Sequence, residues 1–73
     1  MPLITESQYN SLINNQIPTD LPDQIMSDLK LVNTVILSKE QNNFSLEFLE
    51  LDELSQEEIE EAKNYGSVVA LNV

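Results

Sequence analysis

Eight carboxylates fall within fifteen residues of this chain: Glu47, Glu50, Asp52, Glu53, Glu57, Glu58, Glu60 and Glu61. Side chains of this type can pair as acid and base, gather round a hard cation, or hold a field against a cationic surface. Acid–base work needs a walled cleft, and 73 residues can hardly supply one. Cation binding needs ligands that converge from a tight turn. The chain has no Asp-x-Asp-x-Asp-Gly loop, so no metal and no cofactor is expected. What remains is a surface for a basic protein, or a helix face that is acidic only because solvated faces often are.

The rest of the composition removes other chemistry. There is no histidine, the commonest general base and metal ligand, and no cysteine for thiolate, redox or disulfide chemistry. The serines and threonines have no base beside them, and no glycine-rich phosphate loop exists. The expectation is a protein that is not an enzyme. Thirteen acids against Lys30, Lys39 and Lys63 give a net charge of −10, which repels nucleic acid and anionic membranes. The partner expected is therefore a basic protein surface: a nucleic-acid-binding protein whose phosphate site the acids imitate, a basic enzyme, or a toxin.

Elements must bring those carboxylates together, and the third helix is the best specified. Ser55 fits its N-cap and Glu58 the capping-box partner, with Leu54 and Ile59 as a hydrophobic staple. Glu57, Glu58, Glu60 and Glu61 fill the half of the helix where its dipole favours them. Glu58 and Glu61, three apart, stand ~5–6 Å from each other, as do Glu57 and Glu61 at four apart. Like charges at that spacing cost a few tenths of a kcal/mol per pair. Lys63 and Gly66 close the helix, Gly66 as a left-handed cap. Tyr65, at the end of the acidic helix, is the best candidate for an exposed anchor, with packing on the sheet edge as its ordinary alternative. Tyr9, Phe44 and Phe48 read as core or core-edge residues.

Upstream, Thr5 caps a first helix with Gln8 as its box partner. Ile4 and Tyr9 staple it, and Asn14, Asn15 and Pro18 end it. Tyr9, Leu12, Ile13 and Ile17 share its apolar face. Pro22 suits the first turn of a short second helix that buries Leu21, Ile25 and Leu29, with Met26 alongside. Residues 31–37 are dense in β-branched side chains and read as a strand, although Ile25, Leu29, Val32 and Ile36 also keep the spacing of a second helix running to about residue 38. Residues 38–43 make a polar turn. Residues 44–48 alternate as a second strand, with a slip at Phe48-Leu49 that suggests a bulge, and residues 68–73 read as a last strand.

These elements predict one compact α+β domain over residues 1–73, in the order α-α-β-β-α-β. A right-handed crossover sets the last strand parallel to the second, with the first between them. The expected sheet is three-stranded and mixed, in the order 2-1-3, with helices on one face. Val32, Ile36, Val68 and Ala70 fall on the uncovered face, where a second copy or a partner would cover them. The N-terminal residues have neither the basic nor the apolar region of a signal peptide. No apolar run approaches the ~20 residues of a membrane span, so the chain reads as cytoplasmic.

Small size, acidity and missing catalytic groups suit an inhibitor or regulator of the antitoxin, immunity-protein or phage-inhibitor type, a DNA mimic among them, by analogy alone. The alternative is an assembly subunit that self-associates through its sheet as a homodimer, its charge serving only solubility.

Overall fold

Two capping boxes fix where the outer helices begin. In the computed structural model, which describes residues 2–73, helix α1 (Glu6–Ile13) opens at Thr5. The Thr5 hydroxyl accepts the Gln8 N–H at 3.1 Å, and the Gln8 Oε1 accepts the Thr5 N–H at 2.9 Å. Helix α2 (Asp23–Leu29) starts after Pro22, which fixes the entry backbone but offers no side-chain cap. Helix α3 (Gln56–Ala62) repeats the reciprocal box between Ser55 and Glu58.

The strands are β1 (Leu3–Ile4), β2 (Thr34–Glu40), β3 (Asn43–Phe48) and β4 (Ser67–Ala70). They form one sheet in the order β1-β3-β2-β4, antiparallel at every pairing. The three strands anticipated from the sequence keep their expected order, and β3 and β4 run the same way on either side of β2. The sheet is four-stranded and antiparallel, however, not three-stranded and mixed. Because β2 lies between the two strands of like direction, no parallel pairing arises. The strand not anticipated, β1, has only two residues, too few to show an alternation.

Local boundaries also move. The β-branched run is a strand and not a continuation of α2, but it begins at Thr34; Leu31 stays outside, 84% exposed. The supposed polar turn at 38–43 is mostly strand, and the turn itself is Gln41-Asn42, with Gln41 at φ 56°. No bulge interrupts β3. Its register with β2 is unbroken from Glu40↔Asn43 to Val35↔Phe48, and the Leu49 N–H donates to the Thr34 carbonyl at 2.9 Å. The slip in alternation marks the end of the strand, where a 3₁₀ turn (Leu51–Glu53) follows. The last strand covers 67–70, and Leu71 beyond it is buried in the core.

Strand alternation sorts the side chains onto two faces. On one, Val35, Leu37, Phe44, Leu46 and Val69 pack with Leu12 of α1, with Ile25 and Leu29 of α2, and with Leu21 before it. Tyr9 lies against Phe44, ring centroids 5.1 Å apart, and Ile13, Ile17 and Met26 complete this core. The other face carries Thr34, Ile36, Ser38, Ser45, Glu47, Val68 and Ala70. Helix α3 lies against this second face, so the helices are not confined to one side as expected. Ile36 is only 5% exposed beneath it, whereas α3 buries none of its own residues. Val32 precedes β2 and belongs to neither face.

Gly66 sets how closely the chain returns after α3. A Cβ there would stand 2.5 Å from the Leu37 carbonyl oxygen and 2.7 Å from Ser38 Oγ. The same Ser38 hydroxyl donates to the Tyr65 carbonyl at 3.0 Å. No glycine has positive φ, so Gly66 is not the left-handed cap that its position suggested; it is the residue that lets two backbones meet.

Candidate functional site

The acidic residues follow the path of the chain from β3 through the 3₁₀ turn into α3, and this path crosses the second face of the sheet. Three adjoining hollows lie along it and share Leu49 as a wall. The first, of about 380 Å³, lies between α3 and the sheet and is lined by Ile36, Leu49, Leu54, Ala62 and Tyr65, with Glu47, Glu58 and Glu61. The second, of about 260 Å³, adds Glu50 and Glu53. The third, of about 350 Å³, is bounded by Leu31, Val32 and Leu51, together with Glu50 and Asp52.

Six of the eight carboxylates thus border one continuous stretch of surface. They are Glu47, Glu50, Asp52, Glu53, Glu58 and Glu61. Glu57 and Glu60 do not join them, because 3.6 residues per turn puts Glu60 on the side of α3 opposite the hollow and Glu57 on its flank. Glu60 is also neutralised locally, by Lys63 Nζ at 3.1 Å. None of the three lysines lines the hollows; Lys39 sits 5.6 Å from the centroid of the Phe44 ring. None of the six is paired with a lysine at salt-bridge distance among the described residues, although Lys39 borders a neighbouring hollow of about 520 Å³ together with Glu47 and Tyr65. Among the described residues, no group of three or more carboxylates is gathered closely enough to hold a metal ion.

Two of these carboxyls carry shifted protonation. Glu50 is raised above the ordinary carboxylate value, first by the negative charge of Glu53. A hydrogen bond between the two carboxyls adds to this, since it requires a proton on one of them, and slight desolvation adds a little more. Glu58 is lowered, because its carboxylate accepts the Ser55 backbone N–H at 3.0 Å and a second hydrogen bond from the Ser55 side chain. One site thus repels additional negative charge while the other is locked into its helix start.

Tyr65 lies at the end of this surface and is 70% exposed. Sequence reasoning missed the apolar walls. Leu49, Leu51 and Leu54 alternate irregularly with Glu50, Asp52 and Glu53, and that interleaving of leucine and acid is the signal that could have found them. Leu51 remains 43% exposed beside the still more exposed Leu31. The hollow between α3 and the sheet is apolar at its floor and anionic at its rim, whereas the other two are more polar than apolar.

Among the described residues, no helix is long and apolar enough to cross a membrane. Comparison with protein-family models, with curated proteins and with solved structures returns no match for this chain.

Proposed function

We propose that the protein is a small acidic binding protein, an inhibitor or regulator that presents the surface along residues 47–61 to a basic protein. The observation that supports this is the grouping of six carboxylates along three adjoining hollows, the first of them apolar, that no lysine lines. Charge kept only for solubility has no need to surround exposed leucine and tyrosine, whereas an interface uses both. The partner class is a nucleic-acid-binding protein, a basic enzyme or a toxin, since each carries a cationic patch that such a field would steer and orient. A DNA mimic is one form of this reading. The chain forms no disulfide, which suits action in the cytoplasm.

Self-association through the sheet is the weaker reading. It would bring two bodies of net charge −10 together. The outer edge of β4 is also only four residues long and is engaged at its end by Asn15.

The test is capture of partners from lysate as salt rises. Partners retained at low ionic strength should elute as salt approaches ~1 M, where the Debye length is ~3 Å. A variant with Glu47, Glu50, Glu58 and Glu61 changed to Gln should lose them at the lowest salt; Gln at position 58 can still complete the capping box. Retention indifferent to both salt and the four substitutions would rule out the electrostatic reading.

A further inference from the structure

The hollow between α3 and the sheet narrows the choice of partner. Its floor is apolar, built from Ile36, Leu49, Leu54 and Ala62, and Tyr65 stands exposed beside it. Its volume of about 380 Å³ lies at the lower end of the range for binding pockets, enough for one or two side chains of a partner but not for a domain. Its rim is anionic: Glu47 reaches it from the sheet, Glu58 and Glu61 from the helix.

Resting on the binding function proposed above, we propose that this hollow receives a cationic amphipathic helix. Apolar side chains of that helix enter between Ile36 and Ala62, and its lysines or arginines meet the three rim glutamates. Charge complementarity selects the occupant, because a neutral apolar segment would leave three carboxylates beside it without counter-charge, and an acidic one would be repelled. Helical form follows from spacing. Glu58 and Glu61 stand one turn apart on α3, and cations three or four residues apart on a partner helix repeat that ~5–6 Å interval.

The probe is a fluorescein-labelled Leu/Lys peptide patterned as an amphipathic helix, read by anisotropy against a scrambled peptide of the same composition. At ~0.1 M salt the patterned peptide should bind about tenfold more tightly than the scrambled one. Ala62→Met, which fills the hollow with a residue that favours helix, and Tyr65→Ala should each weaken it about tenfold. The Glu57→Gln/Glu60→Gln double variant should bind it unchanged. Tyr65 is exposed, so its truncation leaves the fold intact and decides the matter if Ala62→Met disturbs α3.

Equal binding of both peptides, lost with salt, would overturn the amphipathic groove while leaving the acidic surface as the functional one. Patterned binding that survives both groove substitutions would overturn it as well. No binding of either peptide at low salt would overturn this inference together with the proposed function.

Discussion

The side chain of Asn15 accepts the backbone N–H of Asn72, 57 residues away, at 3.0 Å, while its Nδ2 donates at 3.0 Å to the carbonyl of Ala70. The two groups it engages point away from β2. Leu71 donates to the Asn33 carbonyl on the β2 side, so in an antiparallel ladder its neighbours Ala70 and Asn72 must face outward. One carboxamide thus takes the place of a neighbouring strand's peptide group. It joins the end of α1 to the open edge of the sheet, and it removes part of that edge from pairing with another chain.

Asn15 itself sits at φ 60°, a conformation that asparagine tolerates and glycine adopts freely. Asn15→Gly therefore isolates the clamp from the backbone requirement. We expect a loss of about 1 kcal/mol, the net worth of one or two solvent-accessible hydrogen bonds. Amide exchange at Asn72 should quicken by more than exchange in β2 or β3. Uniform quickening across the sheet would mean that the clamp supports the whole fold and not its edge.

Gly66→Ala should destabilise by about 1–3 kcal/mol, the usual penalty of forcing a methyl group into packed structure. The obstruction is the Leu37 carbonyl, backbone that cannot rotate aside. Gly66→Asn should be at least as damaging. A left-handed glycine would tolerate asparagine best, so a mild effect of Asn in urea unfolding would contradict the close-approach explanation.

How much of this was legible in the sequence depended on whether the cause was local. Both capping boxes were, because Thr5 with Gln8 and Ser55 with Glu58 are complete within four residues. The strand character of the segment before Ser38 was visible in its β-branched side chains, but its start was not. Thr34 is fixed by pairing with Ala70, 36 positions on, and Val32, two positions before it, is equally β-branched. The side of the sheet that α3 covers was equally hidden, since it depends on the crossover from β3 to β4. The acidic block was plain. Its division into six residues around the hollows and two outside them needed the helical phase of α3 relative to Ile36, which no run of glutamates can supply.

Gln8 and Glu58 hold the same position in the two boxes but not the same environment. Gln8 is buried, and besides accepting the Thr5 N–H it donates through Nε2 to the Asp20 carbonyl at 3.1 Å. It ties the start of α1 to the turn before α2. Gln8→Ala should cost about 2 kcal/mol, a lost cap partner together with the Thr5 N–H and the Asp20 carbonyl left without their part-buried hydrogen bonds. Ser55→Ala, at the exposed box, should cost only about 0.5–1 kcal/mol. Equal effects of the two substitutions in urea titrations would show that the Gln8 bridge to Asp20 adds nothing.

Glu50 and Glu58 should give stability profiles of opposite slope between acid and neutral pH. The Glu50 carboxyl is raised by Glu53, so the folded state holds its proton more tightly than the unfolded chain does. Stability from this residue then falls as pH climbs from the unfolded pKa to the folded one, and the loss is complete above the folded value. Glu58 is lowered by its hydrogen bonds to Ser55. Its contribution is whole above the unfolded pKa and disappears as pH falls through the depressed folded value. Glu50→Gln should therefore unfold at higher urea than the parent at pH 7, and the gap should close below the carboxylate range, where both carboxyls are neutral. Glu58→Gln, which can keep the capping box but not the charge, should be weaker than the parent at pH 7 and should also converge with it in acid. If Glu50→Gln gains nothing at neutral pH, the repulsion between Glu50 and Glu53 is screened away in solution, and the central carboxylates of the surface are free to accept a cationic partner without relieving any strain.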